Sequence, residues 1–278
     1  MTPPTRTDFA RRLQVRAWQA ARWAAPLAVC LAVIGCWEAT VRHYDLKPYE
    51  LAAPSRIAAT IRDNGQELGS AWLVTLQTMA VALGAAIVLG VTMGALFASS
   101  RLLATCLFPY TVILQVTPLV AIAPFLVLWI GPERVWLTQV TCAWIVAFFP
   151  ILSNTTIGLR TIDRGLADLF ALYDARRLQR LRWLLAPSAL PYFLAGLKVS
   201  ANLALIGAIV AEFVIGPETA HPGLASVILA SQYRQDTPMM FAALVLVSAT
   251  GIAIYLVVSA LSWALLHRWH ESATGLER

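Results

Sequence analysis

Long apolar stretches separated by short polar connections are the dominant pattern of this chain. A helix needs about 20 mainly apolar residues to cross a bilayer. Six stretches approach or exceed that length, over residues 21–41, 73–98, 102–130, 135–157, 193–215 and 240–266. The pattern therefore predicts an all-α polytopic membrane protein with about six transmembrane helices. Between spans, it predicts a short amphipathic helix near 57–68 and a loop with a short helix over 216–238.

The segment 163–191, between the fourth and fifth apolar stretches, has a different pattern. Its first half spaces four apolar residues at i, i+3, i+4 and i+7, which is one face of a helix, and these are Leu166, Leu169, Phe170 and Tyr173. A break follows at Asp174. A second predicted helix ends at Pro187 and Pro191 and carries Arg176, Arg177, Arg180 and Arg182. Such an amphipathic hairpin is better placed to bind a soluble partner protein than to lie in lipid.

Composition and charge distribution support the membrane assignment. The chain is 59% hydrophobic and 13% charged, whereas soluble domains are about 25% charged. With the N-terminus inside, 14 of the 21 Lys and Arg residues fall on the inner side and 6 on the outer side. The positive-inside rule then places both termini and the hairpin in the cytoplasm. It also accounts for the net charge of +6 without nucleic acid as a partner.

The chain divides into three parts on this interpretation. A basic N-terminal segment covers residues 1–20, a transmembrane domain covers 21–270 and contains the hairpin, and a short cytoplasmic tail covers 271–278. The basic start and the first apolar run are similar to a signal peptide. No small-x-small cleavage site follows them, so an uncleaved first span is the favoured interpretation.

The third apolar stretch carries the polar residues Gln115 and Thr117 next to Pro118, with further prolines at Pro109 and Pro124. Non-helical backbone at membrane depth is tolerated only where it is buried in protein or lines a cavity. A broken helix on a translocation path is therefore predicted, and a plain proline kink is the alternative.

The fifth stretch contains three polar residues. Asn202 is the deepest, and it fits either a substrate contact or a hydrogen bond between helices. Lys198 is placed about one turn from the inner boundary, from where its side chain can snorkel to the headgroups, and Glu212 is similarly placed near the outer end. In the second stretch, Ala86, Gly90 and Gly94 recur every four residues. This spacing predicts close packing on the fifth span or on a second subunit, with packing inside one subunit as the alternative.

The chain lacks the sequence signatures of catalysis and of cofactor binding. Its cysteines form no C-x-x-C pair and its histidines have no metal-ligand spacing. It has neither a phosphate-binding G-x-x-x-x-G-K-[ST] loop nor a nucleophile elbow. The sequence therefore predicts a chain that is not an enzyme and binds no cofactor itself.

The hairpin resembles the coupling loop of ABC-importer permeases, which reads E-A-A-x(3)-G-x(9)-I-x-L-P. Anchored on Pro187, the pattern places Asp168, Leu169 and Phe170 at E-A-A and Asp174 at the glycine. Aspartate is among the few residues that tolerate the left-handed backbone conformation that such a glycine supplies. The hairpin is therefore expected to keep its corner, and the effect of Asp174 on coupling is left open.

The resemblance extends over about residues 51–269 to the nitrate/taurine/sulfonate group of these permeases. It is carried by LAAPSRIAATI, LQVTPLVAIAPFLVLWIGPE, AFFPILSNTTIGLRTID and LPYFLAGLKVSANLALIGAIVAEFV. DLFALYDARR and DTPMMFAALVLVSATGIAIYLVV look most like members that import pyrimidine thiamine precursors or riboflavin. Sulfonate and taurine permeases more often have an acidic residue where Tyr255 stands.

The resemblance implies an ATP-driven importer in a bacterial inner membrane. This chain would be one of two spanning subunits, usually identical. An extracytoplasmic binding protein would deliver the solute, and two separate ATPase subunits would bind ATP and Mg. An ion-coupled secondary transporter is the alternative, weakened because every Asp and Glu is placed in a loop or near a span end.

The resemblance also implies roles for particular residues. Leu169, Phe170 and Tyr173 would fill the ATPase cleft, and the arginines Arg176, Arg177 and Arg180 would meet either acidic residues of its rim or lipid headgroups. The expected path residues are Gln115, Thr117, Pro118 and Asn202.

Overall fold

The computed structural model describes residue 25 and residues 28–216 and 221–267. The basic segment 1–20, the start of the first predicted span and the tail 271–278 therefore lie outside the described residues. The helices are α1 (28–43), α2 (Pro54–Asp63), α3 (Gly65–Ser99), α4 (Arg101–Val116), α5 (Leu119–Ile130), α6 (Val135–Arg160), α7 (Arg164–Leu172), α8 (Arg177–Arg180), α9 (Ala186–Ile215), α10 (Leu224–Tyr233) and α11 (Thr237–Leu266).

The long helices confirm a polytopic all-α membrane fold. Within the described ranges, four helical stretches are long and apolar enough to cross a bilayer. They are α3, α6 with its preceding 3-10 turn, the continuous stretch from α8 through α9, and α11. The bent pair α4 and α5 provides a fifth, and α1 covers part of the first predicted span.

Helix α6 lies at the centre of the fold and packs against both α3 and α9. The largest core cluster joins Ala86 and Phe97 of α3 to Ile151 and Leu152 of α6 and Ala204 of α9, all five of them fully or almost fully buried. At the other end of α3, Ala71 belongs to a separate apolar cluster with Leu224 and Met239. That second cluster positions the short helix α10 against the spans.

Gly90 and Gly94 of α3 pack on α6, so of the two predicted alternatives the structure shows packing inside one subunit. A Cβ added at Gly90 would meet Ile151 Cγ2 at 2.7 Å, and one at Gly94 would meet Thr155 Cβ at 3.0 Å. The partner is the fourth span of the same chain. The spacing identified a close helix contact, whereas the choice of partner depends on the fold.

Pro187 and Pro191 do not end the second helix of the hairpin, contrary to the prediction. α8 continues through a π-helical turn, Leu181–Leu185, into α9. The Ala186 amide donates to the Leu181 carbonyl oxygen, five residues back. Pro187 follows this wider turn directly, at the junction where the hydrogen-bond pattern changes from π-helical to α-helical.

Both outer segments contain the short helices that the sequence predicted, but the helix bounds differ from the prediction. The amphipathic helix placed near 57–68 is α2, and it ends at Asp63. α3 then starts at Gly65, eight residues before the predicted second span. The short helix expected within 216–238 is α10.

Candidate functional site

The hairpin formed by α7 and α8 leaves its apolar face uncovered. No residue of either helix is buried. Leu169 is 45% exposed and Tyr173 is 80% exposed, while Phe170 between them is half-buried. Asp163 begins α7, its carboxylate accepting a hydrogen bond from the Leu166 amide at 3.0 Å. This N-cap satisfies one of the amides at the start of α7 that lack a partner within the helix.

Asp174 adopts the left-handed conformation, with φ of 47°. The Ala175 amide donates to the Phe170 carbonyl oxygen at 3.0 Å, and the Asp174 amide to that of Ala171 at 3.1 Å. This hydrogen-bond pair is the Schellman motif that ends many helices, usually with glycine at the left-handed position. The corner expected from the family pattern is therefore formed with aspartate in place of glycine.

Substitutions at Asp174 separate the conformational role of this corner from any contact of its carboxylate. Asp174→Gly is expected to keep or improve substrate-stimulated ATP hydrolysis in the assembled complex, because glycine adopts this φ without strain. Asp174→Val is expected to reduce it, since a β-branched residue is strained there by about 1–2 kcal/mol. A large loss in the glycine variant would show that the carboxylate makes a contact of its own.

The second arm of the hairpin presents its basic side chains to the surroundings. Arg176, Arg177 and Arg180 are all exposed, as is Asp168 on α7. The Arg176 amide donates to Gln179 Oε1 at 2.7 Å, which fixes the start of α8. Within the described ranges these arginines form no ion pair, so their guanidinium groups are available to an acidic surface or to phosphate groups.

The third span is broken where the sequence predicted a break. α4 and α5 meet at an angle of 101°, and both linking residues, Thr117 and Pro118, have extended backbone. The Thr117 amide and hydroxyl both donate to the Ile113 carbonyl oxygen, at 3.1 Å and 2.7 Å, which ties the linking residue back to the last turn of α4. Gln115 and Pro118 are exposed on the isolated chain and Thr117 is half-buried. Pro109 and Pro124 lie inside α4 and α5 and do not interrupt them.

Asn202 does not hydrogen-bond to Gln115 or Thr117. Its side-chain amide donates at 3.5 Å to the carbonyl oxygen of Lys198, in the same helix. Thus the four residues predicted for the path lie on two elements, three at the break and one on α9, without a direct bond between them. Their role as a path stays a prediction.

Lys198 lies nearer the middle of the helix bundle than the sequence placed it. Ser200, two residues further along α9, donates its hydroxyl to the carbonyl oxygen of Ala147 at 2.6 Å. Ala147 is close to the midpoint of α6. At 1.5 Å per residue, the ends of α6 lie roughly 18–20 Å from it. A lysine side chain does not span that distance.

Glu212 is fully buried, whereas the sequence placed it near the outer end of the fifth stretch without a role. Its carboxylate accepts hydrogen bonds from the Thr75 hydroxyl and the Ala225 amide, both at 2.8 Å. Thr75 in turn accepts from the Leu224 amide at 2.9 Å. These groups satisfy the first amides of α10 and join α3, α9 and α10. The one signal in the sequence was an ionisable residue inside an apolar span.

Comparisons with known proteins give this architecture a family. A family described as binding-protein-dependent transport system inner membrane component matches residues 86–273, two thirds of the chain and the whole hairpin. The chain belongs to this family. The permease is 32% identical over 270 residues to the riboflavin transport system permease protein RibX of Chloroflexus aurantiacus, an alignment that covers 93% of this chain and 96% of that protein.

Two further relatives extend the comparison. The permease is 31% identical to the formylaminopyrimidine transport permease protein ThiX of Halalkalibacterium halodurans, over 87% of this chain and 94% of that protein. It is 25% identical to the putative aliphatic sulfonates transport permease protein SsuC of Bacillus subtilis, over 91% and 90%. These matches confirm the resemblance to ABC-importer permeases of the nitrate/taurine/sulfonate group.

A solved structure shares the fold. A crystal structure of an amino acid ABC transporter with histidines superimposes with a TM-score of 0.58 and 16% identity, covering 76% of this chain and 97% of that one. The permease is thus a multi-pass inner-membrane transport subunit of a binding-protein-dependent importer. Importers of this family work with an ATPase and a binding protein.

Proposed function

We propose that the permease is one of two spanning subunits, in the simplest case identical, that are driven by a separate pair of cytoplasmic ATPase subunits. The observation that carries this proposal is the uncovered apolar face of the hairpin, which has no partner within the described part of the chain. The charge bias places the hairpin and both termini in the cytoplasm. ATP and Mg bind to the ATPase, and this chain holds no cofactor.

The hairpin residues divide into an apolar group and a polar group. Leu169, Phe170 and Tyr173 insert into a cleft on the ATPase, where burial of apolar area stabilises the complex. The arginines Arg176, Arg177 and Arg180 meet acidic residues at the rim, which steers docking more than it strengthens it. Asp168 and Asp174 hold the positions of the acidic residue and the glycine in the family pattern, and Pro187 marks the start of α9.

The solute crosses beside the broken third span. Gln115 and Thr117 provide polar groups at the break, Pro118 maintains it, and Asn202 extends the path along α9. Because the binding protein provides selectivity outside the membrane, weak and sparse contacts along the path are sufficient for transport.

The proposed substrate is a pyrimidine thiamine precursor or riboflavin. Two relatives at 31–32% identity over most of the chain are permeases for formylaminopyrimidine and riboflavin. The sulfonate permease is more distant, at 25% identity. We therefore assign the substrate type of the more similar relatives to this chain. Sulfonates, taurine and nitrate are the alternative substrates that an experiment has to exclude.

Reconstitution tests the function and the substrate separately. Proteoliposomes that contain the permease, its ATPase and its binding protein are expected to take up labelled riboflavin or formylaminopyrimidine in an ATP-dependent, vanadate-sensitive manner. Uphill uptake without any ATPase would contradict the proposed energy source. Equilibrium binding to the cognate binding protein tests the substrate, and tight binding of sulfonates with none of flavins or pyrimidines would contradict that part alone.

A further inference from the structure

A cation and an aromatic ring meet near the middle of the bundle, on a surface of the chain that no described residue covers. The Lys198 ammonium lies 4.2 Å from the centroid of the Tyr255 ring on α11. Lys198 is half-buried and Tyr255 is 47% exposed. Asn202, one helical turn from Lys198 on the same face of α9, is also half-buried. The three side chains therefore form one continuous polar patch.

This patch has no carboxylate to neutralise it. Among the described residues, the ion pairs are Arg42 with Glu38 and Arg62 with Asp63, both at the outer side of the fold. Placing an unpaired ammonium at this depth in hydrocarbon is unfavourable in free energy, and one contact with an aromatic face offsets only part of that penalty. Ionisable groups within membranes face a water-filled cavity or the interior of a bundle. The patch is therefore expected to face water or the interior of the assembled complex rather than acyl chains.

We propose that Lys198, Asn202 and Tyr255 form a substrate-contact site on the translocation path, and that its ligand is a planar heteroaromatic ring with a carbonyl oxygen on the ring or on a substituent. An ammonium donates hydrogen bonds and accepts none, whereas the Asn202 amide does both. The Tyr255 face stacks on a flat ring. In the empty site the Lys198 ammonium covers the face of the Tyr255 ring. When a ligand binds, its ring displaces the ammonium from that face, and the ammonium then donates a hydrogen bond to a carbonyl oxygen of the ligand.

This inference rests on the proposed importer function and narrows its substrate class. Riboflavin and formylaminopyrimidine can satisfy all three groups, because each combines a flat ring with at least one carbonyl acceptor, on the ring in the flavin and on the formyl group in the pyrimidine. An alkanesulfonate would use the ammonium and leave the tyrosine ring without a partner. The contribution of Tyr255 thus distinguishes the two classes of solute.

Thiol labelling tests whether the patch borders water, independently of any substrate. In the assembled complex, with the four native cysteines replaced by alanine, Lys198→Cys and Asn202→Cys are expected to react with a charged, water-soluble thiol reagent. Val257→Cys is the matched control, since Val257 is 66% exposed and lies on the opposite side of α11 at similar depth. Labelling of both patch positions is expected to be at least about tenfold faster, because the reactive thiolate needs water. Equally slow labelling at all three positions would overturn the site.

Uptake by proteoliposomes tests the ligand class. With riboflavin and formylaminopyrimidine as probes, Lys198→Met is expected to lower ATP-driven uptake about tenfold, the effect of losing one charged hydrogen bond, while Lys198→Arg keeps most of it. Tyr255→Phe keeps the aromatic ring and is expected to keep normal uptake. Tyr255→Leu removes the ring and is expected to abolish uptake. Unchanged uptake in Lys198→Met and Tyr255→Leu would overturn the ligand assignment. If the wild-type complex hydrolyses ATP but takes up neither probe, the proposed substrate fails and the ligand class with it, whereas the labelling result still decides the site.

Discussion

Replacing Phe170 by aspartate is expected to lower ATP-driven uptake at least about thirtyfold, because apolar anchors at the centre of an interface contribute more than about 2 kcal/mol. Phe170 is the half-buried middle of the apolar face of α7, between Leu166 and Tyr173. A carboxylate there would enter the ATPase cleft without a partner, at the cost of burying an unpaired charge. The spans are expected to fold normally, since no residue of α7 is buried. Uptake, ATP hydrolysis and co-purification of the ATPase measure the effect.

Leu172→Asp is the matched control for this experiment. Leu172 is 82% exposed and lies two residues after Phe170, on the opposite side of the same helix. The same substitution there is expected to reduce uptake by less than about fivefold, as peripheral contacts cost under 1 kcal/mol. Equal losses in both variants would contradict the assignment of the apolar face, and so would undiminished uptake in the Phe170 variant.

Features that depend on neighbouring residues in the sequence were predictable. The corner at Asp174 follows from local backbone chemistry, because a helix that ends in a Schellman motif requires one left-handed residue. The break between α4 and α5 follows from Pro118, which removes an amide and disfavours helical geometry at Thr117. The long spans follow from composition alone. In each case the physical cause lies within a few residues of its effect.

Features that depend on distant parts of the chain were not predictable in the same way. The partner of Gly90 is set by which helices become neighbours, and the spacing of small residues does not contain that information. The prediction that the hairpin ends at Pro187 is wrong, because the helix continues through the π-helical turn that precedes this proline. That error moved the inner end of the fifth span to residue 193, seven residues past the start of α9. Lys198 was thereby placed about one turn from the boundary instead of nearer the middle.

Two carboxylates accept hydrogen bonds from amides at the N-termini of the two short outer helices. Glu38 of α1 accepts hydrogen bonds from the amide of Ser55, at 3.0 Å, and from its hydroxyl, at 2.7 Å, at the second position of α2. Glu212 accepts from the amide of Ala225, at the second position of α10. The amides at a helix N-terminus favour negative charge. The two sites differ in burial, since Glu212 is inaccessible and the Glu38 side chain is 21% exposed.

Glu212→Ala is therefore expected to destabilise the permease by roughly 3 kcal/mol, because it leaves the buried Ala225 amide without its acceptor, removes one of the hydrogen bonds of Thr75 and opens a cavity. For a protein of this size, that corresponds to a fall in Tm of roughly 6–12 °C. Glu38→Ala is the matched control and is expected to cost less than about 1 kcal/mol, since its interactions are partly exposed. Thermal unfolding of the assembled complex in one detergent measures both. A loss at Glu38 as large as that at Glu212 would contradict the importance of burial.

Gly223 makes this interaction testable as a pair. A Cβ added at Gly223 would collide with the Glu212 carboxylate, and its three nearest neighbours are all atoms of that group. Gly223→Ala is therefore expected to expel the carboxylate and lower Tm nearly as much as Glu212→Ala does. In the Glu212→Ala background the collision is gone, so the same glycine substitution is expected to change Tm by no more than about 2 °C. Such non-additivity identifies direct coupling between two residues. Additive losses would show that Gly223 is required for another reason, and that the carboxylate does not by itself hold α10 in place.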